Sequence, residues 1–142
     1  MFSLRSGGLF QVYIKDLIIP SERVAHVQVG NSLEHALLVL TRSGYTAIPV
    51  LDPQYRLHGL ISTPIIMDSI LGLERIEFEL LEQKKVEEIM NKRIPRVNID
   101  ETLQTTLSYL VDYPFLCVED KNGYFEGILT RRAVLKQLDE AQ

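Results

Sequence analysis

The run Gly44-Tyr45-Thr46-Ala47-Ile48-Pro49-Val50-Leu51-Asp52 decides the fold of this chain. A turn glycine, a short apolar run and a following Asp-Pro step are typical of a β-strand. Two residues are unusual for a core strand, because Thr46 carries a hydroxyl and Pro49 has no backbone N–H. Since proline occurs in sheets mainly at edges, the run alone favours an edge strand covered by a helix. A strand that faces a ligand is the alternative.

The same pattern occurs a second time along the chain. Residues 45–62 align without gaps on residues 113–130, with Gly59 on Gly127 and Asp52 on Asp120. The apolar positions upstream also agree, with one small length change in each connecting segment. Self-similarity of this kind indicates a duplicated structural unit.

Each copy predicts a short helical turn followed by the order β-α-β-β-α. Ser32 and Thr102 stand where helix N-caps belong, each before an apolar stripe at helical spacing. The predicted turns cover 14–18 and 86–90, the strands 25–29, 45–51, 57–61, 96–99, 115–119 and 125–129, and the helices follow Ser32, Ser62, Thr102 and Thr130.

This plan predicts an α/β (α+β) fold of two pseudo-symmetric β-α-β-β-α motifs packed as one pair, since neither half is large enough to be comfortably stable alone. The segment between the motifs is rich in glutamate but carries four large apolar side chains, so we interpret it as an ordered amphipathic connector. The predicted boundaries are 1–13 for an N-terminal segment, 14–71 for motif 1, 72–85 for the connector, 86–138 for motif 2 and 139–142 for a C-terminal tail.

Composition narrows the classes of function. The 142 residues carry a net charge of −4, which disfavours a generic binder of nucleic acid or of anionic membranes. The single cysteine, Cys117, excludes an intrachain disulfide and a cysteine-rich zinc site, and its apolar surroundings favour a buried, inert thiol. No apolar stretch is long enough to span a bilayer, and Met1–Gln11 lacks the pattern of a signal peptide, so we expect a cytoplasmic protein.

Catalysis is not indicated. His26, His35 and His58 lie in different predicted elements, without the spacing of metal ligands. The sequence has no nucleophile elbow, no glycine-rich phosphate loop and no carboxylate pair at catalytic spacing. We therefore predict that the chain is not an enzyme and holds no metal.

The duplicated unit resembles the CBS domain, and the tandem resembles a CBS pair, or Bateman module. More narrowly, the chain is similar to the small stand-alone CBS-pair proteins of Gram-positive bacteria that bind cyclic di-AMP. The resemblance covers about residues 14–138. The segments that resemble the CBS pair are 44–52, 59–62, 86–90 leading to Ile94-Pro95, and 127–130. The segments that resemble the narrower group are 23–31 and Arg131-Arg132.

The resemblance implies that an adenosine ligand binds in a cleft between the two halves. In such clefts a Ser or Thr three residues before an Asp holds the ribose hydroxyls. Here the Asp position is Ile65 after Ser62 and Ala133 after Thr130. A carboxylate there can accept hydrogen bonds from both the 2′ and 3′ hydroxyls, so its loss argues against AMP, ADP or ATP. The missing carboxylate weakens the binding of cyclic di-AMP less, because its ribose is esterified at the 3′ position and offers only the 2′ hydroxyl.

Positive charge is the candidate replacement for the missing carboxylates. Arg131 and Arg132 open the last predicted helix, where free N–H groups and a partial positive charge favour phosphate, and guanidinium groups bind phosphate in a bidentate way. The alternative is that at least one of them is a solvated surface residue. Arg23 is a third candidate cation, with a surface salt bridge to Glu22 or to the connector as an equal alternative.

The two clefts are predicted to differ. Thr46 and Ala47 leave space and a polar group for a purine, whereas Pro114 and Phe115 remove the hydroxyl and fill the matching volume. We therefore predict one working site per chain. Its predicted ligand-binding residues are Arg23, Val24, Ala25, Tyr45, Thr46, Ala47, Ile128, Thr130, Arg131 and Arg132.

The sequence thus predicts a non-enzymatic cytosolic sensor of cyclic di-AMP that regulates a partner protein according to occupancy. The resemblance also implies a homodimer and a protein partner bound in the ligand-free state, such as a bifunctional (p)ppGpp synthetase/hydrolase. The alternatives are an energy-charge sensor that binds AMP or ATP, and a CBS interaction module without a ligand.

Overall fold

The computed structural model describes residues 12–140, so the predictions for the segment before Val12 and for the last two residues lie outside it. The strands are β1 (Ile19–Pro20), β2 (Val27–Gln28), β3 (Ala47–Leu51), β4 (Leu57–Ser62), β5 (Arg96–Asn98), β6 (Phe115–Glu119) and β7 (Phe125–Thr130). The helices are α1 (Leu33–Ser43), α2 (Thr63–Ile70), α3 (Leu80–Gln83), α4 (Leu107–Asp112) and α5 (Arg131–Glu140). Short 3₁₀ turns lie at Ile14–Asp16, Ser21–Arg23, Val86–Glu88 and Leu103–Thr106.

The chain forms two compact units with related sheets. Ala25–Ile94 holds a sheet in the order β2-β3-β4, and the rest of the chain holds a sheet in the order β1-β7-β6-β5. β3 in one unit and β6 in the other each pair in parallel with the strand before the first helix of the copy and antiparallel with the next strand along the chain. The predicted β-α-β-β-α order is therefore confirmed in both copies.

Each leading turn packs with the unit built by the other copy of the repeat. Ile14 is buried in the core of α4, α5 and their sheet, and its N–H donates to the Glu101 carbonyl at 3.1 Å. Val86 is buried in the core of the 25–94 unit, and its N–H donates to the Asn31 carbonyl at 2.9 Å. The predicted boundaries follow the repeat, so they assign each leading turn to its own copy. In the structure each leading turn belongs to the compact unit that contains the sheet of the other copy.

The matched glycines of the repeat mark where the leading segments cross the sheets. Gly127 pairs with Pro20 of β1, and a Cβ built on it would lie 2.2 Å from the Ile19 carbonyl oxygen. At Gly59 the corresponding Cβ would lie 2.6 Å from the Asn91 carbonyl oxygen. A side chain at either position would collide with backbone, so the glycines are required by close approach.

The edge-strand interpretation of the 44–52 run is wrong, because β3 is the middle strand of its sheet. Pro49 is tolerated there because β2 pairs with β3 only from Val50 onward. Its partner on β4 is Leu60, whose N–H and carbonyl both bond to Asn91. No ladder hydrogen bond therefore depends on the N–H that Pro49 lacks.

The two predicted N-caps behave differently. The Ser32 hydroxyl accepts a hydrogen bond from the His35 N–H at 3.1 Å, which confirms it as the cap of α1. Thr102 occupies the equivalent position, but its side chain makes no cap hydrogen bond, and the next four residues form a 3₁₀ turn before α4. The first helix of the second copy consequently contains only six α-helical residues.

Part of the predicted connector is packed. Leu80 and Leu81 of α3 lie against the core of the 25–94 unit. Phe78 and Leu73 are exposed, so the apolar character of the segment is divided between core and surface.

The turn between β3 and β4 predicts a dependence of stability on pH. Asp52 accepts hydrogen bonds from His58 Nε2 and from the backbone N–H groups of Gln54 and Arg56, each at 2.9 Å. The His58 bond first, and then the Arg56 N–H, lower the pKa of Asp52. A carboxyl group whose pKa is lower in the folded state than in the unfolded state stabilises the fold when the pH is above the unfolded-state pKa of about 3.9. This stabilisation is lost as the pH falls through the folded-state pKa.

We therefore expect Asp52→Asn to flatten the acid limb of the melting temperature against pH, because the amide oxygen keeps the turn but does not titrate. Thermal unfolding followed by circular dichroism from about pH 6 to pH 2 measures this. Asp120→Asn, in the equivalent turn of the second copy, controls for the loss of one charge. An acid limb as steep in Asp52→Asn as in the wild type would contradict the assignment.

Candidate functional site

In the 25–94 unit, three predicted site residues meet at the start of β3. Tyr45 and Thr46 are exposed just before the strand, and Ala47 is its first residue. Ile48 and Val50 face the helical core, so strand alternation places Ala47 on the opposite sheet face. Ala25 is half-buried and packs against the same core. This end of β3 therefore offers a small side chain, a hydroxyl and a phenol.

In the other unit, two predicted residues, Ile128 and Thr130, lie on the corresponding sheet face. Leu129 belongs to the core beside α4 and α5, so its neighbours Ile128 and Thr130 point away from that core. Ile128 pairs with Cys117 of β6 and is 2% exposed. Thr130 pairs with Phe115, the first residue of β6.

Ala47 and Phe115 occupy equivalent places, as the repeat predicted. Each begins an inner strand of its sheet and pairs with the hydroxyl residue at the end of the next strand, Ser62 for Ala47 and Thr130 for Phe115. The pairing confirms that the two residues are equivalent, and the filling of the second-copy position by Phe115 stays a prediction.

The two hydroxyl residues cap helices. Ser62 Oγ accepts from the Ile65 N–H at 3.3 Å, and Thr130 Oγ1 accepts from the Ala133 N–H at 3.0 Å. Ile65 and Ala133 are the positions at which the resemblance implies a carboxylate. Each hydroxyl retains its O–H donor for a ligand.

The adjacent arginines that open α5 have different environments. Arg131 is partly buried, and its Nε and Nη2 donate to the carbonyls of Leu110 and Val111 at 2.8 and 3.4 Å. Arg132 is exposed, and no hydrogen bond or ion pair engages its side chain within residues 12–140. Of the two, Arg132 has the exposure expected of a solvated surface residue, whereas Arg131 is engaged by backbone carbonyls. The phosphate role of either arginine stays a prediction.

Lys136 is a cation that the sequence reasoning missed. It lies four residues after Arg132 on α5, and the two line one shallow depression together with Arg131 and Leu135. The i,i+4 spacing on the predicted helix was the signal that could have identified it, because such residues are surface neighbours.

Arg23 and Val24 end the short turn before β2. Val24 is buried, while Arg23 is exposed at the last position of the 3₁₀ turn. Among the described residues Arg23 makes no salt bridge with Glu22 or with the connector. That alternative is therefore not observed, and the side chain is accessible.

The predicted site residues thus form two sets, one in each unit. Their binding of a single ligand stays a prediction. The set in the 25–94 unit is Ala25, Tyr45, Thr46 and Ala47, and the set in the other unit is Arg23, Val24, Ile128, Thr130, Arg131 and Arg132.

Cys117, His26 and His58 have surroundings that fit structural roles. Burial raises the pKa of the Cys117 thiol to about 12, so the group stays protonated at neutral pH, as the prediction of an inert thiol requires. The His26 ring meets the Tyr55 ring edge-on with centroids 5.3 Å apart, and His58 bonds to Asp52. Over residues 12–140 there is no group of three His, Cys, Asp or Glu side chains arranged for a metal ion, and no helix long and apolar enough to cross a membrane.

The fold and the repeat agree with the comparison to known families. The CBS domain sequence profile matches residues 14–72 and 86–140. The chain belongs to the CBS domain family. With two matched segments it is a CBS pair.

Three relatives of this CBS pair are informative. Cyclic di-AMP receptor B of Bacillus subtilis (strain 168) is 56% identical over 140 residues, which are 99% of this chain and 95% of that protein. The CbpB protein of Listeria monocytogenes, solved in complex with c-di-AMP, is 54% identical with a TM-score of 0.84, covering 89% of this chain and 95% of that one. A CBS domain-containing protein of unknown function from Bacillus anthracis is 58% identical with a TM-score of 0.88, covering 96% and 99%.

Proposed function

We propose that this CBS pair is a non-enzymatic receptor for cyclic di-AMP that acts on a partner protein according to occupancy. The observation that carries the proposal is 56% identity, over 99% of the chain, to a protein named cyclic di-AMP receptor B. The complex of CbpB with c-di-AMP, from a protein 54% identical to this chain, supports the same ligand.

The chemistry of the described residues fits this ligand. Cyclic di-AMP presents two phosphodiesters and no free 3′ hydroxyl, so it needs cations more than a carboxylate. Arg132 is exposed at the first turn of a ten-residue helix, and Lys136 adds a second cation in the same depression. We assign the phosphates to these side chains, with Arg23 and Arg131 as further candidates.

The adenine is assigned to the start of β3. Ala47 leaves room for the base, the Thr46 hydroxyl offers a polar contact to its edge, and Tyr45 supplies an aromatic face. The Thr130 O–H donor is assigned to the ribose 2′ hydroxyl. Val24, Ala25 and Ile128 are assigned to apolar contacts.

Ala47→Phe is expected to abolish binding of cyclic di-AMP, because it places at the first-copy position the large side chain that Phe115 has at the equivalent second-copy position. Fluorescence polarisation with a labelled cyclic di-AMP measures the loss. Ala47→Ser, which adds one atom, is the matched control and should retain binding within about tenfold. Full binding by a folded Ala47→Phe variant would remove Ala47 from the site.

Two alternatives predict different ligand profiles. An energy-charge sensor would bind AMP or ATP at least as tightly as cyclic di-AMP, and a ligand-free interaction module would bind none of them. Displacement of labelled cyclic di-AMP by unlabelled cyclic di-AMP, but not by equal concentrations of AMP or ATP, is the expected result. Efficient displacement by AMP would favour the energy-charge alternative.

The finer parts of the proposal concern assembly and partner. We propose a cytoplasmic homodimer whose protein partner, for example a bifunctional (p)ppGpp synthetase/hydrolase, binds the ligand-free state. Such control requires only that the partner prefers one of two states and that cyclic di-AMP prefers the other. A pull-down with the purified synthetase tests it, since added cyclic di-AMP should release the partner.

A further inference from the structure

Arg131 connects the start of α5 to the end of α4. Besides its two guanidinium bonds to the carbonyls of Leu110 and Val111, its backbone N–H donates to the Pro114 carbonyl at 2.8 Å. The last carbonyls of a helix have no partners within it, so the guanidinium acts as a cap supplied by another element.

The end of α4 depends on that cap more than a longer helix would. α4 has six residues, follows a 3₁₀ turn, and its N-cap residue makes no side-chain cap bond. Helices this short are marginal without external contacts. A further bond at this helix end runs from the Tyr113 N–H to the Tyr109 carbonyl at 3.0 Å.

The guanidinium has capacity left for a ligand. Of its five N–H donors, two are engaged by the α4 carbonyls. Its residue is only partly buried and adjoins Arg132, the exposed cation at the same helix start. The remaining donors can bind a phosphate oxygen while the two carbonyl bonds persist, because a guanidinium donates in several directions in its plane.

We propose that Arg131 transmits phosphate occupancy to α4. This inference rests on the proposed function. A phosphate on the remaining donors holds the guanidinium in place, so the bonds to Leu110 and Val111 break less often and the last turn of α4 opens less often. Arg131 is thus a positioning residue for α4 as well as a phosphate contact.

The responding element lies beside an apolar groove. α4 and α5 line a groove of about 410 Å³ with Leu107, Leu110, Val111, Val134, Leu135 and Leu138. Val111 is 78% exposed and lies in the turn that Arg131 caps. Occupancy therefore changes the order of one wall of this groove, which gives the receptor two distinguishable surface states.

Hydrogen exchange measured by mass spectrometry on the full chain tests the inference. Saturating cyclic di-AMP should slow exchange of the Val111, Asp112 and Tyr113 amides by about tenfold in the wild type. Arg131→Lys keeps a cation but lacks the planar fork. At a cyclic di-AMP concentration that saturates the variant in its own titration, these amides should exchange faster than in the wild type and should show no ligand-dependent slowing. Arg132→Met at a saturating concentration should retain the slowing.

The outcomes separate the two proposals. Binding of cyclic di-AMP by the wild type without slowing at these amides overturns the inference alone, as does slowing of normal size in Arg131→Lys. Complete absence of binding by the wild type overturns the proposed function and this inference with it.

Discussion

Arg132→Met weakens cyclic di-AMP binding by about 10- to 100-fold, the expected loss of a charged hydrogen bond of roughly 1.5–3 kcal/mol. The side chain is exposed at the first turn of α5 and has no partner within residues 12–140, so its removal costs little stability. Isothermal titration calorimetry at one fixed ionic strength measures the change, because phosphate contacts are sensitive to salt.

A matched control separates the specific contact from the loss of net charge. Arg42→Met removes an exposed arginine from the last turn of α1 and should leave the affinity within about twofold. Lys136→Met should give an intermediate loss if it shares the phosphate with Arg132. Equal affinities for Arg132→Met and the wild type would remove Arg132 from the phosphate role.

Gly127→Ala destabilises the fold by about 3 kcal/mol or more. Its Cβ would lie 2.2 Å from the Ile19 carbonyl oxygen, and the glycine has φ of +151°, which side chains rarely adopt. Overpacking against backbone costs roughly 1–3 kcal/mol and an unfavourable φ a similar amount. Denaturant unfolding measures the free energy of unfolding, and β1 is expected to separate from β7.

The repeat and an exposed glycine supply the controls. Gly59→Ala meets the Asn91 carbonyl oxygen at 2.6 Å without a positive φ, so its cost should be smaller than that of Gly127→Ala. Gly30→Ala meets nothing within 4 Å and should change stability by about 1 kcal/mol or less. Loss of stability as large for Gly30→Ala as for Gly127→Ala would contradict the close-approach explanation.

The repeat allowed most of the fold to be predicted, because turn residues and apolar spacing are local signals. The strand Phe115–Glu119 was predicted with its observed bounds, and Ser32 was correctly assigned as a cap. The equivalence of Ala47 and Phe115 was also predicted from the sequence, because aligned residues in two copies occupy equivalent places.

The remaining features depend on contacts between distant segments. Pro49 suggested an edge strand, because nothing in the run shows that β2 pairs only beyond it. The exchange of leading turns is equally invisible, since the apolar pattern of Ile14 and Val86 does not specify which core receives each. Arg131 and Arg132 are identical side chains, and only the carbonyls at the end of α4 distinguish them.

Calorimetric titration of the purified full chain with cyclic di-AMP, and separately with AMP and ATP, tests the central claim most directly. We expect micromolar or tighter binding of cyclic di-AMP only, with one ligand per chain, because Phe115 is predicted to fill the second-copy position. AMP or ATP binding as tight as that of cyclic di-AMP would contradict the proposed ligand, and two cyclic di-AMP molecules per chain would contradict the predicted asymmetry.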